Sequence, residues 1–334
     1  MPAIRTHVMT DIKDYGRLMH EAGEAEATRR LRIYERIVRE RLPRKSTEVD
    51  HIADGFHLIF TATREALQTA IDIAEALSTH TKDHPDAPLP TAIGIDTGES
   101  LSRGGRYFGP APVTAARLAS RGHGGQVLVT ATVKSLLPSA APLRDLGVWR
   151  SPDGPSIRVY EARPPDPTST PARSERFLAA LLFTDIVRST ATAAAMGDRQ
   201  WRELVERHNA IVRKELARFG GNEIDTAGDG FYASFDAPSH AIECARALRE
   251  SMKSTGLAIR VGIHVGECEM VGGKIGGLTV TVGARIKETA EDGEILVSRT
   301  VRDLVIGTGF TFAERGPYEL KGIPGRWELY ELTA

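Results

Sequence analysis

LFTDIVRST at 182–190 sets an aspartate, Asp185, close behind an unbroken apolar run, FLAALLF at 177–183. A run of that length and character predicts a strand covered on at least one full face. The first half of the chain answers with VMTDIKDYG at 8–16, where Asp11 takes the matching place. HIADGFHLIF at 51–60 likewise answers TAGDGFYASF at 226–235, and AIGIDTGES at 92–100 answers RVGIHVGEC at 260–268. AARLAS at 115–120 matches GARIKE at 283–288, and GGQVLVTATVKSLL at 124–137 matches DGEILVSRTVRDLV at 292–305. Five segments in one order, about 170 residues apart throughout, establish an internal duplication.

Between the copies runs EARPPDPTSTPARSER, with Pro164, Pro165, Pro167 and Pro171. Such a stretch favours extended, semi-rigid chain and continues neither strand nor helix. The expected organisation is a domain at 1–162, a Pro-rich linker at 163–175 and a second domain at 176–334. Leu204, Val205, His208, Ile211, Val212, Leu216 and Phe219 recur at helical spacing, as do Leu31, Tyr34, Ile37, Val38 and Leu42 in the first copy. Gly220 and Gly221 end the later helix. A hairpin follows around the AGDG and IADG turns, then a second amphipathic helix and another strand. This β-α-β-β-α-β order predicts an α+β class, an antiparallel sheet with helices on one face in each copy.

Bulk properties narrow the function. The chain has 334 residues, 41% apolar and 26% charged, with a formal net charge of -1. That balance gives no global attraction to nucleic acid or an anionic membrane, and neither is expected as a partner. The basic run from Arg29 to Lys45 is interrupted by Glu35 and Glu40 and reads as a solvated helix face. Cys244 and Cys268 lack ligand spacing. No apolar segment has the length of a signal core or a membrane span, so a cytoplasmic protein is expected.

Asp185 at a strand end and Asp229 in the Ala227–Gly228–Asp229–Gly230 turn can lie side by side on such a sheet. Two converging carboxylates repel unless a cation neutralises them. Hard oxygen ligands suit magnesium or manganese, with a triphosphate completing the shell. Asp11 and Asp54 repeat the pair. The backbone amides from Ile186 to Ser189, leading into a helix, are placed to cradle phosphate oxygens.

FTDIVRST, GDGFYASF, VGIHVGE, the arginine of VTVGAR, GEILVSRTV and LKGIPG together resemble the class III adenylyl/guanylyl cyclase catalytic domain. The resemblance covers 176–332 and, more weakly, 4–162. It implies two ferredoxin-like nucleotide-cyclase domains in an intramolecular head-to-tail pseudo-dimer, a monomer with internal domain pairing. It implies two Mg2+ or Mn2+ ions per active site and a nucleoside triphosphate, ATP by default, as substrate. One site would take metals from Asp185 and Asp229 with Arg117 balancing phosphate charge. The other would take metals from Asp11 and Asp54 with Arg285 in that role. A cation so positioned is worth roughly 10³-fold in rate or more.

The sequence also departs from the family pattern. Val113 and Thr281 replace an asparagine four residues before the arginines, and a lost donor costs about 10²- to 10³-fold. Threonine keeps a hydroxyl. With Lys321 of ELKGIPG resembling a phosphate-contacting lysine, this favours the site holding Asp11. At the base-recognition positions Asp225 and Asp50 stand where adenylyl cyclases carry lysine, and Lys274 and Arg106 stand at the partner positions. The exchange of charge in both copies indicates a retained pairing, either an interface salt bridge or a changed base choice, for example a pyrimidine. His264, where the first copy has Asp96, reads as a satisfied strand histidine. Two functions compete: a cyclase of low activity, which the retained carboxylates and arginines favour, and a degenerate pair serving as a nucleotide-binding or regulatory module.

Overall fold

The computed structural model describes residues 2–43, 48–52, 55–138, 141–151, 154–163, 176–227, 229–271 and 274–333. Residues 164–175 of the expected linker, and Asp54, lie outside them. The chain forms two compact units, Arg5–Arg173 and Ser174–Ala334 with Pro2–Ile4.

The first half runs β1 (Pro2–Ile12), α1 (Tyr15–Ala22), α2 (Glu24–Arg39), β2 (Glu48–Ile52), β3 (Gly55–Phe60), α3 (Thr63–Asp83), β4 (Thr91–Arg103), β5 (Arg106–Phe108), α4 (Pro110–Arg121), β6 (Val127–Thr130), α5 (Ala131–Leu136), β7 (Leu143–Ser151) and β8 (Gly154–Ala162). The second repeats it with β9 (Arg176–Ile186), α6 (Ser189–Met196), α7 (Asp198–Phe219), β10 (Asn222–Ala227), β11 (Gly230–Phe235), α8 (Pro238–Met252), β12 (Ile259–Val271), β13 (Lys274–Gly276), α9 (Leu278–Thr289), β14 (Ile295–Ser298), α10 (Arg299–Leu304), β15 (Phe312–Tyr318) and β16 (Trp327–Leu332).

The sheets have matching orders, β2-β3-β1-β4-β6-β8-β7 and β10-β11-β9-β12-β14-β16-β15, with β5 on β4 and β13 on β12. The first four strands of each sheet, with their crossing helices, are the expected ferredoxin-like β-α-β-β-α-β unit. Beyond it each sheet grows by a parallel step, β4 to β6 and β12 to β14, and a closing hairpin.

The apolar stripes read from the sequence cover one face. Tyr34, Ile37 and Val38 of α2 and Ile73 and Leu77 of α3 pack with Val8, Leu58, Ile93 and Ile95. In the second unit Leu204, Val212, Leu216, Ile242 and Leu248 are buried with Phe231, Val261 and Ile263. Gly220, at φ 70, closes α7 in the left-handed conformation that glycine adopts without steric cost.

The expectation of helices on one face alone is corrected. Side chains alternate along a strand, and Ile93 and Ile95 face α2 and α3. Gly94 between them faces the other way, where a Cβ would run into the Ala115 carbonyl and the Ala119 amide of α4. Gly262 of β12 stands in the same relation to Gly283 and Lys287 of α9. Helical periodicity identifies a buried stripe but not the side of the sheet that buries it.

These glycines let a helix lie directly on strand backbone. Overpacking of this kind costs roughly 1–3 kcal/mol. Gly262→Ala and Gly94→Ala should each lower the urea midpoint accordingly. Gly16→Ala on α1, where a Cβ meets nothing within 4 Å, should hold or raise it.

Candidate functional site

Strand register places the carboxylates. Phe231 pairs with Thr184, so the β10–β11 tip that carries Asp229 lies alongside Asp185 at the end of β9. In the first unit Met9 pairs with His57, which sets Asp11 near Gly55 at the start of β3.

Asp185 is already neutralised by the chain. Arg260, its register partner on β12, donates from Nη2 at 2.7 Å and Nε at 3.3 Å to Oδ2. Lys287 Nζ of α9 donates to the same oxygen at 3.3 Å. Contrary to the expectation from the sequence, repulsion between the aspartates does not by itself require a bound ion, because two side-chain cations share the task. Asp229 differs: its Oδ2 is buried with no hydrogen-bond partner among the described residues. Such an oxygen fits a divalent cation. Among the described residues no group of three or more His, Cys, Asp or Glu is placed to hold a metal. An ion here would rest on two carboxylates and on oxygens brought by its ligand.

Asp11 is neutralised from another element. Lys13 Nζ lies 2.7 Å from Asp11 Oδ2 and also donates to the carbonyls of Ala119 at 2.6 Å and Ser120 at 2.9 Å, at the end of α4. Ala119 occupies the place in GARIKE-like order that Lys287 holds in the second copy. An ammonium therefore stands at equivalent points in both units, carried by different elements. Arg260, Lys287 and Lys13 were missed by the sequence reading, since only register and helix-on-strand packing bring them to the aspartates.

His208 was read as one position of an apolar stripe. It is fully buried on α7, its ring 5.8 Å from that of Phe231, with Nδ1 2.9 Å from Asn209 Oδ1. Burial pushes its pKa down, while the Asn209 contact and the charges of Asp229 and Asp185 pull the other way. A polar residue inside the Leu204–Val212–Leu216 stripe was the available signal.

Thr281 and Arg285 lie four residues apart on α9 and share a face. Thr281 is exposed; Arg285 Nη1 donates to Glu288 Oε2 at 2.6 Å, and its Nε is buried without a partner among the described residues. Arg117 and Val113 are exposed on α4. Asp225 and Lys274 meet at 3.0 Å between β10 and β13, inside the second unit, where Lys274 holds the Asp225 carboxyl below its ordinary range. The exchanged charges thus retain a pairing within one copy. Asp50 lies on β2 opposite His57, and Arg106 is exposed on β5. Lys321 is exposed in the turn before β16.

Ile186 ends β9 opposite Ile259, and the next amide, Val187, donates to the Ala258 carbonyl at 2.9 Å. That amide of the expected phosphate cradle is engaged by the sheet. Ser189 opens α6 behind Arg188, whose φ of 54 is left-handed.

Below the site the copies differ in buried charge. His264 Nδ1 lies 2.8 Å from Ser298 Oγ, and its ring meets Trp327 edge-on, a satisfied strand histidine as expected. Burial pushes its pKa from 6.5 to about 3. Asp96 bonds Thr130 Oγ1 at 2.6 Å and the Thr97 amide at 2.9 Å, and burial pushes it from 3.8 to about 7. The signs oppose. A depressed histidine gives stability that is present above pH 6.5 and lost as pH falls toward 3. A raised carboxyl gives stability that is present below pH 3.8 and lost as pH rises toward 7. His264→Gln should flatten the acid limb of the stability curve, and Asp96→Asn the limb between pH 4 and 7. Each should do so by about one proton, or ~1.4 kcal/mol per pH unit, in urea unfolding across pH.

Residues 174–334 match the adenylate and guanylate cyclase catalytic domain family. A receptor-type adenylate cyclase of Trypanosoma congolense is 27% identical over 215 residues, covering 46% of this chain and 27% of that protein. An adenylate cyclase of Podospora anserina is 26% identical over 288 residues, covering 74% of this chain and 13% of that protein. The chain thus spans less than a third of the length of these relatives. The crystal structure of the adenylyl cyclase CyaB from P. aeruginosa aligns at 20% identity, covering 48% of this chain and 96% of that one, with a TM-score of 0.46. Among the described residues no helix is long and apolar enough to cross a membrane.

Proposed function

With residues 174–334 matching the adenylate and guanylate cyclase catalytic domain family, we propose that the protein converts a nucleoside triphosphate to its 3′,5′-cyclic nucleotide and pyrophosphate. ATP is the default substrate and the activity is low. The reading rests on Asp229, a turn carboxylate with a buried, unpartnered oxygen held beside Asp185 by strand register. Asp185 and Asp229 would hold Mg2+ or Mn2+, as would Asp11 and Asp54. Such ions, when bound, would activate the attacking 3′-hydroxyl and stabilise the leaving oxygens.

The chain's own part is positioning and charge balance. Arg260 and Lys287 fix the Asp185 carboxylate, so its orientation is set before any ligand arrives. Arg285 and Arg117 supply a cation for phosphate oxygens, and Thr281 a hydroxyl where Val113 offers none. Lys321 and the chain from Ile186 to Ser189 are proposed phosphate contacts, less the Val187 amide. Asp225 with Lys274, and Asp50 with Arg106, would read the base with polarity opposite to that of adenylyl cyclases; the alternative substrate this allows is a triphosphate of another base, for example a pyrimidine. A second reading, a nucleotide-binding or regulatory module without turnover, is favoured by the neutralised Asp185, because Arg260 and Lys287 compete with an ion for the same oxygen.

Incubation of the full chain with each of the four nucleoside triphosphates and Mn2+, with products read by mass spectrometry, should yield a cyclic nucleotide from at least one. Nucleotide binding without any cyclic product would select the regulatory reading. Asp11→Ala should cost about tenfold more activity than Asp185→Ala, given that Thr281 retains a hydroxyl and a lost donor is worth 10²- to 10³-fold. Equal losses would remove the asymmetry.

A further inference from the structure

Among the buried polar side-chain atoms of the second unit that have no hydrogen-bond partner among the described residues are His208 Nε2, Thr184 Oγ1 and Asp229 Oδ2. They belong to one neighbourhood. His208 packs on Phe231, Phe231 pairs with Thr184, and Asp229 lies two residues before Phe231 in the hairpin tip. Both Asp229 and Asp185 act on His208 electrostatically.

The first unit shows how this place is filled there. Tyr34 occupies the position of α2 that His208 occupies on α7, also fully buried, with its ring 5.6 Å from Phe56 as His208 is 5.8 Å from Phe231. The Tyr34 hydroxyl bonds Thr10 Oγ1, and Thr10 Oγ1 also accepts from the Phe56 amide at 2.7 Å. Thr10 and Thr184 are the threonines directly before Asp11 and Asp185. A histidine is shorter than a tyrosine by about the reach of its hydroxyl, so at the equivalent place its nitrogen stops short of the threonine. With Asn209 Oδ1 accepting from Nδ1, the neutral ring presents Nε2 as an acceptor, and Asp229 Oδ2 is another. A water molecule, with two hydrogens to donate and lone pairs for the Thr184 hydroxyl, satisfies all three; internal waters characteristically make about three such bonds.

We propose that His208 is the positioning residue of Asp229. Nε2 of His208, Oγ1 of Thr184 and Oδ2 of Asp229 bind one internal water, which holds the Asp229 carboxylate for a divalent cation; in the first unit the Tyr34 hydroxyl reaches the threonine directly, with no water between. The inference rests on the metal role proposed for Asp229.

The test uses the full chain carrying Asp11→Ala, so that Mn2+ reports on the Asp229 motif. Mn2+ affinity is measured by calorimetry with 3′-deoxyadenosine triphosphate present, and melting temperature is measured alongside. His208→Tyr should imitate Tyr34, bond Thr184 and keep or raise the melting temperature. It should also weaken Mn2+ binding by about tenfold, as loss of an outer-shell partner does. His208→Gln, which returns a polar atom near the Nε2 position, should recover most of that affinity. If His208→Tyr folds and binds Mn2+ like the parent while Asp229→Ala does not, His208 only packs and the inference is overturned. If Asp229→Ala leaves Mn2+ binding unchanged, the metal reading fails and takes this inference with it.

Discussion

In the second unit antiparallel register puts the strand-end Asp185 beside the hairpin tip that carries Asp229, and the rest of this end of the unit answers that crowding. Two like charges held close together at a partly buried edge cost on the order of a few kcal/mol. The second unit meets the cost at Asp185 with Arg260 from the adjacent strand and Lys287 from the overlying helix. In the first unit Lys13 neutralises Asp11, and its ammonium also takes two carbonyls at the end of α4. That second role suits a cation, because a helix carboxy-terminus carries unpaired carbonyls and partial negative charge. Asp229 falls outside the arrangement and keeps an oxygen without a partner among the described residues.

How firmly those cations are held depends on backbone packing. Gly262 of β12 lets α9 settle on the strand two residues from Arg260 and directly under Lys287. The threonine at the helix start, Thr279, bonds the Glu267 carbonyl at 2.7 Å and pins the other end of the contact. One helix-on-strand interface therefore sets Arg260, Lys287, Arg285 and Thr281 together. A shift of α9 would move the Asp185 neutralisation and the Thr281–Arg285 face as one body.

The repeat, the ferredoxin-like order and the placement of Asp185, Asp229 and Asp11 at strand ends and turns were legible in the sequence because each is a local pattern. The pairing of Asp225 with Lys274 was legible as a coupled exchange of charge, although its location inside one unit needed the fold. Arg260 and Lys13 carried no such signal. Arg260 begins a strand whose partner lies 75 residues earlier, and Lys13 reaches carbonyls 106 and 107 residues away. The side of the sheet taken by α4 and α9 was hidden for a related reason, since alternation along β4 and β12 buries both faces. His208 was visible as a polar residue in an apolar stripe, but the neighbours that give it meaning come from β9 and the hairpin tip.

The buried polar positions show which half of each interaction held steady as the copies diverged. The hydroxyl remains while the titratable partner changes: Ser298 serves His264 where Thr130 serves Asp96, and Thr184 stands below His208 where Thr10 bonds Tyr34. A hydroxyl both donates and accepts, so it tolerates an imidazole, a carboxyl or a phenol in turn. At Ser298 and Thr130 the charged member differs without leaving the hydroxyl stranded in a core where an unpaired polar group costs about 1–3 kcal/mol, whereas Thr184 Oγ1 has no partner among the described residues. The two TDI motifs consequently look alike at the surface and rest on different polar chemistry beneath. Equal motifs are therefore no argument for equal metal affinity, and the difference between the copies must be sought one layer below the aspartates.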